Sequence, residues 1–110
     1  MHEETRQAMS TELFDWDSAN LGHIAEHNVA PEEVEEVLLG DPLELGFQAD
    51  EGDEERWLFL GETARGRILQ VVITLRGERI RVVTAYDASR QDKLLYLETK
   101  AGQHDELEGS

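Results

Sequence analysis

The sequence predicts an α+β domain: an antiparallel sheet of about four or five strands, with two helices before it and one after, in the order β-α-α-β-β-β-β-α. Three observations carry this. Residues 55–86 hold three strand-like runs separated only by short turns, and consecutive strands joined that way pair antiparallel. Helix start and stop signals fall towards the two ends of the chain rather than between strands, which gathers the helices largely on one face of the sheet. The chain has 110 residues and no cysteine, enough for one domain with its own core and no disulfide framework.

Each element has its own signal. Residues 1–11 are polar and read as a flexible start. Glu12–Trp16 can form a short first strand, with Phe14 and Trp16 on one face. Asp17 or Ser18 can cap a helix running to about His27, with Leu21, Ile24 and Ala25 as its apolar stripe. Asn28 follows, a residue that tolerates a left-handed helix end. Pro31-Glu32-Glu33 suits the first turn of a second helix, because proline loses nothing there and acids favour the positive end. Val34, Val37, Leu38 and Leu39 form its apolar face, and Gly40 and Pro42 stop it. Pro42–Phe47 forms a weak strand, and 49–54 is an acidic loop. Glu55–Leu60 is a strand, with Arg56, Leu58 and Leu60 on one side and Trp57 and Phe59 on the other. Ile68–Leu75 is almost continuously apolar and β-branched, as a strand covered on both faces should be. A tight turn at Arg76-Gly77-Glu78 leads into Arg79–Tyr86. Strict alternation puts Ile80, Val82 and Thr84 on one face, and Arg79, Arg81, Val83 and Ala85 on the other. Ser89-Arg90-Gln91-Asp92 resembles a capping box and starts a helix to about Lys100, which packs Leu94, Leu97 and Tyr96. Residues 101–110 read as a disordered acidic tail, which leaves 12–100 as the domain.

The charge is unevenly spread. The net charge of −15 argues against nucleic acid and anionic membranes when taken whole. Residues 1–55 hold seventeen acidic residues and one basic one, Arg6. Residues 56–93 hold eight basic residues against four acidic ones, so this half alone can attract phosphate. The two halves can equally neutralise each other through ion pairs. The start lacks a signal peptide's apolar run and no stretch is long enough to span a membrane, so the expected location is cytoplasmic. The 49–54 carboxylates lack the ordered spacing of a calcium loop and read as a solvated turn.

Two blocks resemble a known family. The first is Trp16-Asp17-Ser18-Ala19-Asn20-Leu21-Gly22-His23-Ile24, continuing through His27, Val29 and Pro31-Glu32-Glu33-Val34 to Glu36. The second joins Gly61-Glu62-Thr63-Ala64-Arg65-Gly66-Arg67-Ile68-Leu69 to Ile80-Arg81 and Thr84-Ala85-Tyr86-Asp87, ending at Asp92-Lys93-Leu94-Leu95-Tyr96. Together they are similar to the BrnT-like family, small toxins of type II toxin–antitoxin pairs. The resemblance implies a RelE-like fold, RNA as substrate, cleavage without metal or cofactor, and a cognate antitoxin protein as partner. A homodimer is left open. Where the family commonly has Ala-Arg, this chain has Ala85-Tyr86. Where the final helix usually carries Glu-Arg-Arg, it has Asp92-Lys93-Leu94.

Ribonucleases of this kind use the RNA's own 2′-hydroxyl as nucleophile. The protein moves protons and stabilises the charged phosphorane. On that basis the candidate catalytic residues are Arg67, Arg81 and Lys93 for the phosphate and His23 or His27 for protons. Arg56, Arg90 and Tyr86 are candidates for binding substrate. Most have a plain structural alternative. Arg81 can pair with Glu or Asp from a helix, and Arg56 can be a solubilising strand charge. Arg90 and Lys93 can be surface charges, Tyr86 a half-buried strand aromatic, and either histidine a link between helix and sheet. His23 and His27, one turn apart, have zinc-binding spacing, but no clear third ligand accompanies them. Trp16 and Trp57 read as core. A second class of function stays open: a catalytically weakened relative whose acidic helical half binds a basic partner protein.

Overall fold

The computed structural model describes residues 13–49 and 54–109. The polar start at 1–11 and most of the acidic loop lie outside the described residues. The elements are α1 (Ser18–Ala25), α2 (Pro31–Leu39), β1 (Leu43–Ala49), β2 (Glu55–Glu62), β3 (Ile68–Arg76), β4 (Arg79–Asp87) and α3 (Arg90–Gly109). The four strands form one antiparallel meander in the order β1-β2-β3-β4. This is the expected α+β class.

The expected first strand is not one. Phe14 makes a single parallel bridge to Ile80 on the outer edge of β4, and Asp15 N donates to Ile80 O at 2.8 Å. Two residues later Asp17 already caps α1, so the segment has no length left for a ladder. The Asp17 carboxylate accepts from the backbone N–H groups of Ala19 (2.9 Å) and Asn20 (3.1 Å), and Asn20 Oδ1 accepts from Asp17 N at 2.8 Å. This reciprocal box satisfies the donors that a helix start leaves open.

The helices divide between the two faces of the sheet, correcting the expectation that they gather on one. Ile24, Val29, Val34 and Val37 pack with Leu69, Val71, Ile73, Val82 and Ala85. On the opposite face, Tyr96 of α3 packs with Leu60, Ile68 and Ala88. The chain crosses over at Ala88, whose N–H is held by Ile68 O at 3.0 Å. At Gly61 the layers come so close that an added Cβ would lie 2.5 Å from Val37 Cγ1.

Strand β4 carries one residue too many for strict alternation. Val72 pairs with Thr84 but Ile73 pairs with Val82, so Val83 is a β-bulge. Ile80, Val82 and Ala85 therefore share the α1–α2 face, while Arg81 and Thr84 lie on the other, a correction to the parity read from the sequence. A second bulge at Leu45 turns that side chain towards the Tyr96 cluster.

Several expected core residues are outside it. Leu21, Ala25 and Leu39 are exposed, and Asn20 and Ile24 do the packing of α1. On α3 Tyr96 is 6% exposed, but Leu94 and Leu97 are 54% and 52% exposed. This helix touches the body along one narrow line, closed by Lys100 Nζ on the Asp41 carboxylate (2.8 Å) and carbonyl (2.7 Å). It also continues to Gly109 rather than stopping near Lys100. A single glycine at 102, costing about 1 kcal/mol in a helix, does not break it. Trp16 and Trp57 are half-buried, with Trp16 Nε1 donating to Glu35 at 2.9 Å.

Candidate functional site

The turn after α1 begins one end of the molecule's site. Val29 N donates to Ile24 O and Asn28 N to Ala25 O, both at 3.0 Å, and Asn28 takes a left-handed φ of 58°. This is a Schellman closure, with buried Val29 packing back on Ile24. The regular helix ends at Ala25, and His27 lies in the closing turn with its N–H on Ile24 O at 3.0 Å.

The closure leaves the carbonyls of His27 and Asn28 facing outwards, and Arg67 takes both. Its Nη1 donates to Asn28 O at 2.8 Å and its Nη2 to His27 O at 3.2 Å. Nη1 also meets both oxygens of Glu33, at 3.0 and 3.2 Å. Nε donates to Asp87 Oδ1 at 2.8 Å, and Nη2 reaches Asp87 Oδ2 at 3.4 Å. Every nitrogen of the guanidinium is thereby engaged, and its five N–H groups have no spare donor for a substrate phosphate.

The reasons are local. A cation is favoured at a helix C-terminus and an anion at a helix N-terminus, and Arg67 sits where α1 ends and α2 begins. Glu33 serves the start of α2 as well, accepting from Ala30 N at 3.0 Å. That backbone donor, followed by Arg67, holds the Glu33 carboxyl below the usual carboxylate range. The Arg67 guanidinium, with the Lys93 charge behind it, does the same for Asp87. Asp87 in turn raises the Arg67 guanidinium further above its already high value.

Other candidates collect around this hub. The His27 ring stands edge-on to Tyr86, with centroids 5.6 Å apart. His27 is exposed and Tyr86 is half-buried. Asp87 follows Tyr86 and lies opposite Leu69, on the α1–α2 face. Two residues further on, Ser89 Oγ accepts from Asp92 N at 3.1 Å and starts α3, which brings Arg90 and Lys93 to the same end. Both are exposed and enter no ion pair among the described residues. So is Arg65, which sequence reading passed over and whose charge helps hold Glu33 ionised. The Arg65-Gly66-Arg67 run was the available signal, with Gly66 at φ 86° supplying the turn.

Arg81, Arg56 and His23 are not part of this cluster. Arg81 lies opposite Thr74, near the β3–β4 turn and on the other face of the sheet. Its guanidinium reaches the segment along the outer edge of β4. Nη1 meets Asp17 Oδ2 at 2.8 Å and Asp15 Oδ2 at 3.5 Å, and Nη2 meets Asp17 Oδ1 at 3.3 Å. The Arg81 hydrogen bond, then the N–H of Asn20, holds the Asp17 carboxyl below its ordinary value. Arg56 meets Glu54 at 3.3 Å. His23 is an exposed residue of α1.

Sequence reading also missed Asn20 as an anchor. It is 3% exposed, and its Nδ2 donates to Asp15 O (2.8 Å) and Val82 O (3.2 Å), tying α1 to β4. Its position as third residue of the helix after Asp17 was the clue. Next to the hub, Asn28, Glu32, Glu33, Glu36, Arg65 and Arg67 line a cleft of about 450 Å³. Its walls carry three carboxylates and two guanidiniums. Among the described residues no group of three or more His, Asp or Glu is placed to hold a metal ion, and no helix is long and apolar enough to cross a membrane.

Residues 16–92 match the model of a family described as ribonuclease toxin, BrnT, of type II toxin–antitoxin systems. The matched span contains every candidate residue except Lys93. No curated protein matches the chain.

Proposed function

The chain belongs to the BrnT family of ribonuclease toxins, whose partners are an RNA substrate and an antitoxin, and from that premise we propose a metal-independent RNA cleavage centred on His27. The observation that carries the placement is the exposed His27 ring held edge-on to Tyr86, at the end of the sheet where Arg65, Arg90 and Lys93 are exposed cations. The imidazole accepts the proton of the RNA 2′-hydroxyl. The freed oxygen bonds to the adjacent phosphorus, and the bond from phosphorus to the 5′-oxygen breaks. Solvent returns a proton to the leaving oxygen, giving a 2′,3′-cyclic phosphate and a 5′-hydroxyl. Lys93, Arg90 and Arg65 hold the phosphate and balance the charge that builds on it. Tyr86 supplies a surface beside the scissile nucleotide. Such a reaction on RNA belongs in the cytoplasm.

Arg67 and Arg81 are assigned differently from the phosphate-holding role that the resemblance suggests. Both have their guanidiniums committed to carboxylates, on opposite faces of the sheet. The same fact favours a second reading, a family member weakened as a nuclease that acts by binding a basic protein through its acidic helices. One experiment separates the two. Purified chain is incubated with a short RNA beside His27→Ala and Lys93→Ala variants. Cleavage by the unaltered chain, with a loss of about a hundredfold or more in each variant, supports the nuclease reading. Intact RNA with the folded, unaltered chain, together with unaffected growth at verified expression, overturns it.

A further inference from the structure

Arg67 joins four parts of the chain through one planar group. Two of its bonds go to the carbonyls of the turn that carries His27, at 3.2 and 2.8 Å. Others go to Glu33, which starts α2, and to Asp87, which ends β4 beside Tyr86. The chain runs from Asp87 directly into the turn that carries Arg90 and Lys93. The Asn28 turn, with its left-handed residue, has no other side chain donating to its outward carbonyls among the described residues. A guanidinium is planar and forked, and neither a lysine nor a water reproduces that set of directions.

We propose that Arg67 is a positioning residue for RNA cleavage, one that sets the His27 ring against Tyr86 and fixes it relative to the Arg90–Lys93 turn without touching the phosphate. This rests on the reading of His27 as proton acceptor. The consequence is kinetic. Proton transfer depends on sub-ångström placement, whereas phosphate attraction by exposed cations does not, so losing the strut lowers turnover and leaves substrate binding nearly intact.

The test uses the full chain, with Arg67→Ala, Arg67→Lys and His27→Ala variants, at a temperature where circular dichroism shows each one folded. Steady-state cleavage of a short RNA should show kcat lowered about a hundredfold in both Arg67 variants, with KM within about twofold. Nuclear magnetic resonance should show the Arg67 Nε–H exchanging slowly with water and unmoved by an all-2′-deoxy analogue of the RNA. The His27–Tyr86 ring contact should be lost in both Arg67 variants. Restored kcat in Arg67→Lys, a raised KM in place of a lowered kcat, or an Nε–H shifted by the analogue each overturns the proposal. If Arg67→Ala unfolds, Asp87→Asn serves instead. It removes the carboxylate charge and one of the two acceptors facing Arg67, and should lower kcat in the same direction; an unchanged kcat overturns the proposal. Full activity in His27→Ala would overturn the reading of His27. The ring contact, measured without turnover, judges the role of Arg67 separately.

Discussion

The guanidinium of Arg67 and the carboxylate of Asp87 lie side by side, Nε to Oδ1 at 2.8 Å and Nη2 to Oδ2 at 3.4 Å, so that the entry to β3 is bound to the exit of β4. Both side chains are partly open to water, which limits what the charges alone contribute. The hydrogen bonds to the backbone and to Glu33 add to it. We expect Arg67→Ala to lower stability by about 2 kcal/mol, as for the loss of hydrogen bonds involving charged groups. Urea denaturation would measure it. Arg67→Lys should recover less than half, because one ammonium cannot span the same partners.

Acid should weaken the same hub. Asp87 and Glu33 have folded values below their unfolded ones, so each contributes stability that is complete above the unfolded value of about 4 and lost as pH falls through the lower folded value. The stability difference between the unaltered chain and Asp87→Asn should be full at neutral pH and shrink as pH falls from about 5 through the unfolded value and then the lower folded one. A difference that stayed constant over that window would contradict this account.

The layers leave no room at Gly61. Gly61→Ala brings a methyl group onto Val37 Cγ1 and should cost about 1–3 kcal/mol. Val37→Ala in the same chain should recover part of it, and a double-mutant cycle of thermal or urea unfolding would show that coupling.

Asn20→Ala removes two donors to backbone carbonyls and the acceptor that completes the cap of α1. About 2 kcal/mol of destabilisation is expected, because Asp15 O and Val82 O lose their side-chain partner. Asn20→Asp should do no better, since a carboxylate supplies the acceptor but neither donor.

The sequence carried the fold class and the strand order because those follow from apolar runs and turn residues, which act locally. The end of α2 was legible in Gly40 and Pro42 for the same reason. What it did not carry depends on a partner far away in the chain. Alternation along β4 holds until Val83, and the extra residue shows only when β3 lies beside it. Leu94 and Leu97 have the spacing of a packed helix face, yet α3 meets the sheet through Tyr96 instead. The histidine pair was read from spacing alone, and spacing could not show that His27 stands in the closing turn of α1, against Tyr86. Arg67 and Arg81 stood out as arginines next to or within apolar strands. Their commitment to Asp87, Glu33, Asp17 and Asp15 is a matter of which carboxylate the fold brings near, and spacing along the chain cannot state that.

The extra residue at Val83 sets the phase of everything after it. In an unbulged strand Arg81 and Asp87 would share a face, six residues apart. Here they face opposite ways, and Asp87 is turned to where Arg67 waits. Relatives that lack this residue must be aligned with a gap at position 83, or every equivalence from Thr84 to Asp87 will join side chains from opposite sides of the sheet.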